Sequence, residues 1–518
     1  MPWLEVTLAA LPAALHAVVL LGRLHPDEVY QSLEIALHRT WGFGVLPWEW
    51  LAPPNVDPSK PWGIRNWFVP LIFSTLLRMG DAIGIKTVMG RRVLLELPQF
   101  ALHAAMLAAV WRLAFRRVGA TGARWCLWLV ALYAPLVWFG GRTMSESFST
   151  AFLVWGLERL DARDVKPPWW ALGGALLGFA QVTRYGSAAA ILPAMAWLLW
   201  DRRWKTFAFA TAGGLVVAVG LGALDFFTWG SWFHSLIDYF RFNVSSGAAA
   251  QAFGAAPWWL YLGRLLIAPF ALLGLAVSLR AGRTRWPAVA VLTVMLAITI
   301  YFATQPALSA WQSNVSPFVG VLLLLTVAWL LLRRDDESRA SIFLASALGY
   351  LAILSWTSHK EDRFVYPALV LLTVAGAPLF IAWLRAQTEP LVEGLGWIAI
   401  GAGVAFYLAT SPLDVQRKEQ FQLIARNAEA TTGLVVMNEG LWGAPGYFYL
   451  GKNIPWCPCD FPHDGCFQAA ARDARFNRGL YWSNGPRDGN RDAQTQAAFE
   501  AAGFHVAARS GAATWFER

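Results

Sequence analysis

The apolar residues of this chain come in long runs, separated by short breaks rich in Arg, Pro and Gly, and that layout leaves few folds open. In hydrocarbon a backbone N–H or C=O finds no water, so a spanning segment must satisfy itself as a helix or close with others into a barrel. Barrel strands are short and alternate apolar with polar residues, and these runs do not alternate. The segments near 4–22, 93–111, 125–139, 145–159, 169–182, 187–200, 206–227, 258–279, 287–304, 315–332, 341–357, 364–384 and 393–410 are predicted to cross as helices. Several fall short of the ~20 residues of a full crossing, so some pairs form one broken helix. The expected architecture is an all-α polytopic membrane protein of about 11–13 transmembrane helices. Residues 64–79 make a further apolar helix, expected at the outer interface or as a re-entrant piece. No small-residue cleavage site follows Leu4 to Gly22, so this run is expected to remain as the first span.

Charge then sorts the loops. Of the 518 residues 57% are hydrophobic and only 14% charged, which excludes a soluble globular protein, and the net charge is +9. Basic residues are retained on the cytoplasmic side. That rule assigns to the cytoplasm the loops carrying Arg112, Arg116, Arg117 and Arg124; Arg159, Arg163 and Lys166; Arg202, Arg203 and Lys205; Arg280, Arg283 and Arg285; and Arg333, Arg334 and Arg339. The loop with Arg78, Lys86, Arg91 and Arg92 breaks the parity unless 64–79 fails to cross. A basic chain also suits nucleic acid, but no basic stripe interleaved with aromatics is present, so nucleic acid is not expected as a partner; membrane lipids are. The Arg- and Ala-rich composition suggests a bacterial source, hence an inner membrane with the active face toward the periplasm or exterior; in a eukaryote the ER membrane takes its place. Residues 1–410 are read as the membrane domain, with outer loops 23–63 and 228–257. Residues 411–518 turn polar and Gly/Asn/Asp-rich, with short apolar runs at 434–437, 504–507 and 514–516 and a helical stretch at 491–501, so a small extracytoplasmic α/β domain is predicted.

The outer face thus receives 23–63, 140–147, 183–186, 228–257, 305–313 and 358–363, which carry most of the polar residues that look out of place in a membrane. In His25-Pro26-Asp27-Glu28 two adjacent carboxylates follow the first span. Charge beside hydrocarbon is expensive to desolvate and marks function; the plainer reading is that Asp27 caps a helix over residues 28–38. His359-Lys360-Glu361-Asp362-Arg363 by itself reads as a solvated helix edge. Polar groups converging from loops far apart in sequence suit an active site, whereas a transporter buries them near the midplane in broken helices.

Taken in order, the motifs resemble those of the polytopic mannosyltransferases that build lipid-linked oligosaccharides and GPI anchors, within the GT-C class. The loop HPDEVYQSLEIALHRTWGFGVLPWEW resembles the family's His-Pro-Asp-Glu loop ending in Trp-Glu-Trp, here Trp48, Glu49 and Trp50. Gly63 to Trp67 with Pro70 is similar to its Ile-Arg-Ser-aromatic element. Arg142 to Ser147 is similar to its Arg-Thr-Leu-Ser-Asn-Ser loop, with Glu146 in place of Asn, and Thr183-Arg184-Tyr185 stands where the family has Arg-Pro. Asp225 to Gly230, Tyr239, Asn243 and Val244, then Gly254, Pro257, Trp258 and Tyr261 resemble a further family region. His359 to Pro367 resembles the His-Lys-Glu-x-Arg-Phe-x-Tyr-Pro signature. The Cys-His pair of the family's C-terminal segment is absent, its place taken by Asn438 and Glu439.

The resemblance implies transfer of a sugar, mannose by analogy, from a polyprenyl-phosphate donor to a lipid-linked or surface glycan acceptor, with inversion and one base. Asp27 is expected to be that base, with Glu28 as its neighbour and substitute; a positioned base contributes roughly 10²–10⁴-fold. His359, Lys360 and Arg363, with Arg184, are expected to hold the donor phosphate, Arg bidentately and Lys as a point charge. Sugar and acceptor contacts are expected from His25, Gln31, Trp48, Glu49, Arg65, Arg142, Asp225, Tyr239 and Asn243, with Arg142 and Glu146 able to pair. No cofactor is expected: a divalent ion on His25, Asp27 and Glu28 lacks a second acidic cluster to complete its shell. Of Cys457, Cys459 and Cys466, a disulfide to Cys466 is expected with one thiol left over, since C-x-C is tighter than zinc spacing. The alternatives are a secondary transporter or lipid flippase, and a GT-C enzyme that glycosylates protein.

Overall fold

The computed structural model describes residues 1–51, 62–258, 260–261, 341–385, 417–437, 443–483, 485 and 490–518. The expected helices near 287–304, 315–332 and 393–410, most of 258–279, and the basic loops at 280–285 and 333–339 lie outside the described residues.

Long apolar runs become helices because each residue then makes a backbone bond that lipid cannot supply. The first is α1 (Trp3–Val19). The outer loop follows as a helix that starts at Pro26–Glu28, widens to a π-helical turn at Val29–Leu33 and continues as α2 (Glu34–Trp41), ending on Gly42 in the left-handed region. α3 (Phe68–Ala82) packs its apolar face, with Phe73 and Leu77 buried, along α2. It therefore stays with the outer loop, and the charge-parity conflict at Arg78 to Arg92 disappears.

α4 (Val88–Ala131) is two helices joined at Gly119, where φ of +71° suits glycine. Then come α5 (Ala134–Gly140), α6 (Ser145–Asp161), α7 (Pro167–Thr183), α8 (Ala188–Trp200) and α9 (Trp204–Trp229). The run predicted at 125–139 is thus broken by Leu132 and Tyr133. α10 (His234–Phe240) and α11 (Ala248–Phe253) fill the second outer loop, and α12 (Ser341–Trp356) and α13 (Tyr366–Arg385) close the described bundle. Val88–Ala131, Trp204–Trp229 and Asp362–Ala382 are long and apolar enough to cross a membrane. α7 and α9 touch through backbone: a Cβ on Gly174 would lie 1.8 Å from the Ala210 carbonyl oxygen, and one on Gly213 1.9 Å from that of Ala171. Small residues are how membrane helices come this close.

The bundle has two chemically distinct ends. At one, Arg112 and Arg116 pair with Glu158 (3.0 and 2.6 Å), Arg117 with Asp161 (2.8 Å) and Arg163 with Asp201 (2.9 Å). Three of the loops assigned by charge to the cytoplasm therefore share one face. At the other end lie Arg92, the starts of α6 and α13 and the ends of α1 and α7. Between Arg92 and Arg112, α4 rises about 30 Å, the thickness of a hydrocarbon slab.

The C-terminal region is α14 (Lys418–Asn427), β1 (Leu434–Met437), α15 (Gly446–Leu450), β2 (Trp456–Cys459), α16 (Gly465–Arg472), β3 (Arg478–Trp482), α17 (Arg491–Ala501), β4 (His505–Ser510) and β5 (Ala513–Glu517). Its sheet runs β2-β1-β3-β5-β4, with β1 parallel to β2 and β3, and β5 antiparallel to β3 and β4. Cys457 and Cys466 form the disulfide, and Cys459 stays buried and free. This region shares one core with the first outer loop, where Val29, Tyr30 and Leu33 meet Phe421, Ile424, Phe448 and Trp515. Tyr30 donates to the Ala444 carbonyl (2.8 Å). The Glu34 carboxylate, fully buried, accepts from Val45 N (2.8 Å) and Phe448 N (2.7 Å), so it caps α15 from a different part of the chain. Burial pushes its carboxyl up to about 7, against the pull of those N–H groups. Gly446 (φ +77°) makes room: a Cβ there would lie 2.5 Å from Glu34 Oε1.

Candidate active site

An apolar helix that ends at the membrane surface must pass its last polar groups to something, and at this end of the bundle they pass to each other. His25 caps the first loop helix, its Nδ1 accepting from Asp27 N (3.2 Å), with Pro26 at the first helical position. The cap is thus His25 and not Asp27, and the Asp27 carboxylate is left to reach across the site. It meets the Arg363 guanidinium at 2.7 Å. The acidic pair loop and the cationic turn near 360, far apart in sequence, therefore share one site.

Around this pair a dense ionic cluster forms. Arg363 also lies 2.5 Å from Glu361 and 3.2 Å from Glu146. Glu146 lies 2.8 Å from Arg184. His25 bridges Asp27 (3.3 Å) and Glu361 (3.2 Å), and His359 lies 3.0 Å from Glu361. Glu49 accepts from Gln31 (2.9 Å) and Arg65 (3.2 Å). Burial alone would raise the Asp27 carboxyl; the Arg363 charge overrides it, helped by His25, and holds it well below the usual carboxylate range. Glu361 is likewise raised by burial, but its His359 contact and Arg363 bring it down to about 2. Glu49 goes the other way: burial raises it, Arg65 opposes, and the nearby Asp27 charge adds to the rise.

Beside the cluster lies an open cavity of ≈ 50 Å³, lined by Asp27, Gln31, Trp50, Arg65, Asn66, Ser145, Glu146, Arg184 and Tyr185 among others. Its walls come from the first loop, α3, the start of α6 and the end of α7. Arg65 Nε and Arg184 Nε are buried donors with no partner. A buried unsatisfied donor is costly, so two of them on cationic side chains lining one cavity suit an anionic ligand.

Not every expected residue joins. Glu28 turns away: it is fully buried, 2.9 Å from Arg92 and 3.5 Å from Arg142, which are buried with it. The Glu28 carboxyl, raised by burial, is pulled down by Arg142 and Arg92. Arg142 donates to the Leu20 and Gly22 carbonyls (2.8 and 3.1 Å), closing the end of α1, and does not pair with Glu146. Glu28 and Arg142 thus brace the loop. Lys360 Nζ donates to the carbonyls of Ala256 (3.2 Å) and Thr357, tying the second outer loop to the end of α12. Asp225 is buried and accepts from Ser235 N (2.9 Å) and Oγ (2.6 Å), capping α10. Asn243 donates back to the Tyr239 carbonyl within its own helical turn. Trp48 packs on Phe242 (4.9 Å). Tyr239 stands against Tyr185 (5.1 Å), with the Arg65 guanidinium 5.8 Å over its ring, at the rim of the site.

Two central residues, Glu146 and Glu361, were not among the expected base, phosphate or sugar contacts; Glu146 was expected to be able to pair with Arg142. Both sit inside the motifs, and the signal for Glu146 was a charge where the resembling loop carries Asn. Among the described residues no group of three His, Cys, Asp or Glu side chains is placed to hold a metal ion.

The sequence matches the model of the Alg9-like mannosyltransferase family over residues 3–306 and 301–450. Among curated proteins it is similar to GPI mannosyltransferase 3 of Schizosaccharomyces pombe, 25% identical over 415 residues that cover 72% of this chain and 67% of that protein. It is also similar to GPI mannosyltransferase 3 of Yarrowia lipolytica, 21% identical, covering 75% and 66%. GPI alpha-1,2-mannosyltransferase 3 of Bos taurus is 23% identical, covering 84% and 70%. The chain thus spans about two thirds of the length of these relatives. In fold it resembles the crystal structure of ArnT from Cupriavidus metallidurans in the apo state, with TM-score 0.51 and 11% identity over 99% of this chain and 97% of that one.

Proposed function

Since this chain belongs to the Alg9-like mannosyltransferase family, we propose that it is a membrane mannosyltransferase that takes its sugar from a polyprenyl-phosphate donor. The acceptor is a lipid-linked or surface glycan. The observation that carries this reading is the cavity in which a carboxylate, Asp27, faces two guanidinium groups with unspent donors, Arg65 and Arg184.

The acceptor hydroxyl attacks the anomeric carbon and gives its proton to Asp27. The bond from that carbon to the phosphate oxygen breaks, and its electron pair leaves on the polyprenyl phosphate. Attack opposite the leaving group inverts the anomeric centre. Arg363 and Arg184 take up the charge that grows on the phosphate, the kind of preset electrostatic support that carries most of such reactions. In the resting arrangement Arg363 sits on Asp27 at 2.7 Å and weakens it as a base. A donor phosphate that draws Arg363 toward itself restores proton affinity to Asp27, so base and donor become active together. In this reading Gln31, Glu49 and Tyr239 supply hydroxyl contacts, and the brace of Glu28, Arg92 and Arg142 fixes the loop.

The charged groups stand at helix ends and not at a bundle midplane, which favours a transferase over a transporter or flippase. The named relatives are eukaryotic, which favours an ER membrane and gives the bacterial inner membrane no support. The test is transfer from labelled polyprenyl-phosphate mannose by purified protein with a membrane lipid extract as acceptor. Asp27→Asn is expected to lower turnover about 10²–10⁴-fold. Full turnover in Asp27→Asn refutes the base, and no labelled glycolipid from wild type refutes the reaction.

A further inference from the structure

Glu146 stands out by what it touches. It is fully buried at the first turn of α6, and its Oε1 lies 2.8 Å from Arg184 Nη1 and 3.2 Å from Arg363 Nη1. Neither contact is an aligned hydrogen bond, since Oε1 has no hydrogen-bond partner, so the carboxylate holds the two cations by charge. Its Oε2 accepts from Ser145 Oγ (3.0 Å), which in turn accepts from Arg184 Nη1 (3.1 Å). A second wall stands against the same two guanidinium groups: Arg184 lies 4.7 Å and Arg363 5.1 Å from the ring centre of Phe364. Two like charges kept this close repel unless something between them is negative.

We propose that Glu146 is a positioning residue, the shared counter-ion that with Phe364 keeps Arg184 and Arg363 side by side as a two-pronged receptor for one lipid-borne phosphate. Its reach is indirect: it need not touch substrate, because the two guanidinium groups do. It also sets the orientation of Arg363 relative to Asp27. This inference rests on the polyprenyl-phosphate reading above and adds to it the residue that shapes the phosphate site.

The experiment compares wild type, Glu146→Gln, Glu146→Asp and Phe364→Leu as full-length protein in nanodiscs. Donor KM, kcat, inhibition by undecaprenyl phosphate and thermal melting are read for each. Glu146→Gln is expected to raise the donor KM and the inhibition constant together, about tenfold to a hundredfold, with a smaller change in kcat. Glu146→Asp, which keeps the charge, is expected to recover most of that loss, and Phe364→Leu to give a smaller rise of the same kind. A merely structural role would move melting and leave Glu146→Asp no better than Glu146→Gln; that outcome, or an unchanged inhibition constant in Glu146→Gln, overturns the proposal while the reaction itself stands. If wild type neither transfers the sugar nor binds undecaprenyl phosphate, the reaction falls and takes this inference with it.

Discussion

Glu34 makes the docking of the C-terminal region depend on pH, and the direction follows from its burial. Its carboxylate is held by backbone N–H groups of Val45 and Phe448, with the phenols of Tyr30 and Tyr447 nearby, and its folded value is pushed from 4.5 to about 7. Below pH 4.5 both folded and unfolded chains carry the proton, and the stability it brings is fully present. Between 4.5 and 7 the unfolded chain gives the proton up first, so stability falls as pH rises, and above 7 the loss is complete. At 1.36 kcal/mol per tenfold in proton affinity, that loss is about 3 kcal/mol. Glu34→Gln cannot ionise; it turns one acceptor into an amide donor facing a backbone N–H, a pH-independent loss of about 1–3 kcal/mol. Hydrogen exchange of the amides in α15, in full-length protein in detergent and corrected for intrinsic rate, reads both effects. Wild-type protection should drop from pH 5 to pH 8, and that of Glu34→Gln should be lower at pH 5 and nearly flat. Protection that rises with pH in wild type, or the same slope in both proteins, would refute the reasoning.

Glu28→Gln strands Arg92 and Arg142 in the interior and is expected to destabilise by about 3–5 kcal/mol, seen as a large fall in melting temperature; Asp27→Asn, which takes one partner from Arg363 but leaves it Glu146 and Glu361, should lower melting less. Gly174→Leu forces α7 off the Ala210 carbonyl; strain of at least 1–3 kcal/mol is expected, checked by melting and by protease sensitivity of the short segments that join α8 to α7 and α9. Arg363→Gln removes charge-assisted bonds worth about 1.5–3 kcal/mol, so donor KM should rise roughly tenfold to a hundredfold. Lys360→Gln, which touches only carbonyls, should change donor KM far less and instead loosen the segment at 254–257 in hydrogen exchange.

The membrane fold was legible because span length and loop charge act locally: α1, α6, α7, α8, α9, α12 and α13 fall where the apolar runs put them. Within the site, the meeting of Asp27 with Arg363 was legible from motif chemistry and shared sidedness. Partner choice was not. Arg142 lies four residues from Glu146 yet pairs with Glu28, because the link before α6 directs it under the end of α1 while Glu146 rises into the cluster. Lys360 and Arg363 lie three residues apart but take different partners, Lys360 the carbonyls of Ala256 and Thr357 and Arg363 the carboxylates of Asp27 and Glu361. Strands β2 and β3 were missed: β2 carries Pro458 and two cysteines, and β3 opens on Arg478 and Gly479, none of which looks like an apolar strand. Pairing with β1, and for β3 with β5 as well, makes strands of them.

Tyr30 to Ala444, and Glu34 to Phe448, are contacts between residues 414 positions apart. While the ribosome is still at work, the first outer helix has no floor to rest on until nearly the whole polypeptide has emerged. The enzyme is therefore unable to assemble its catalytic loop early in translation. Cutting the gene just after the last membrane helix would yield an unfinished site and not a minimal enzyme.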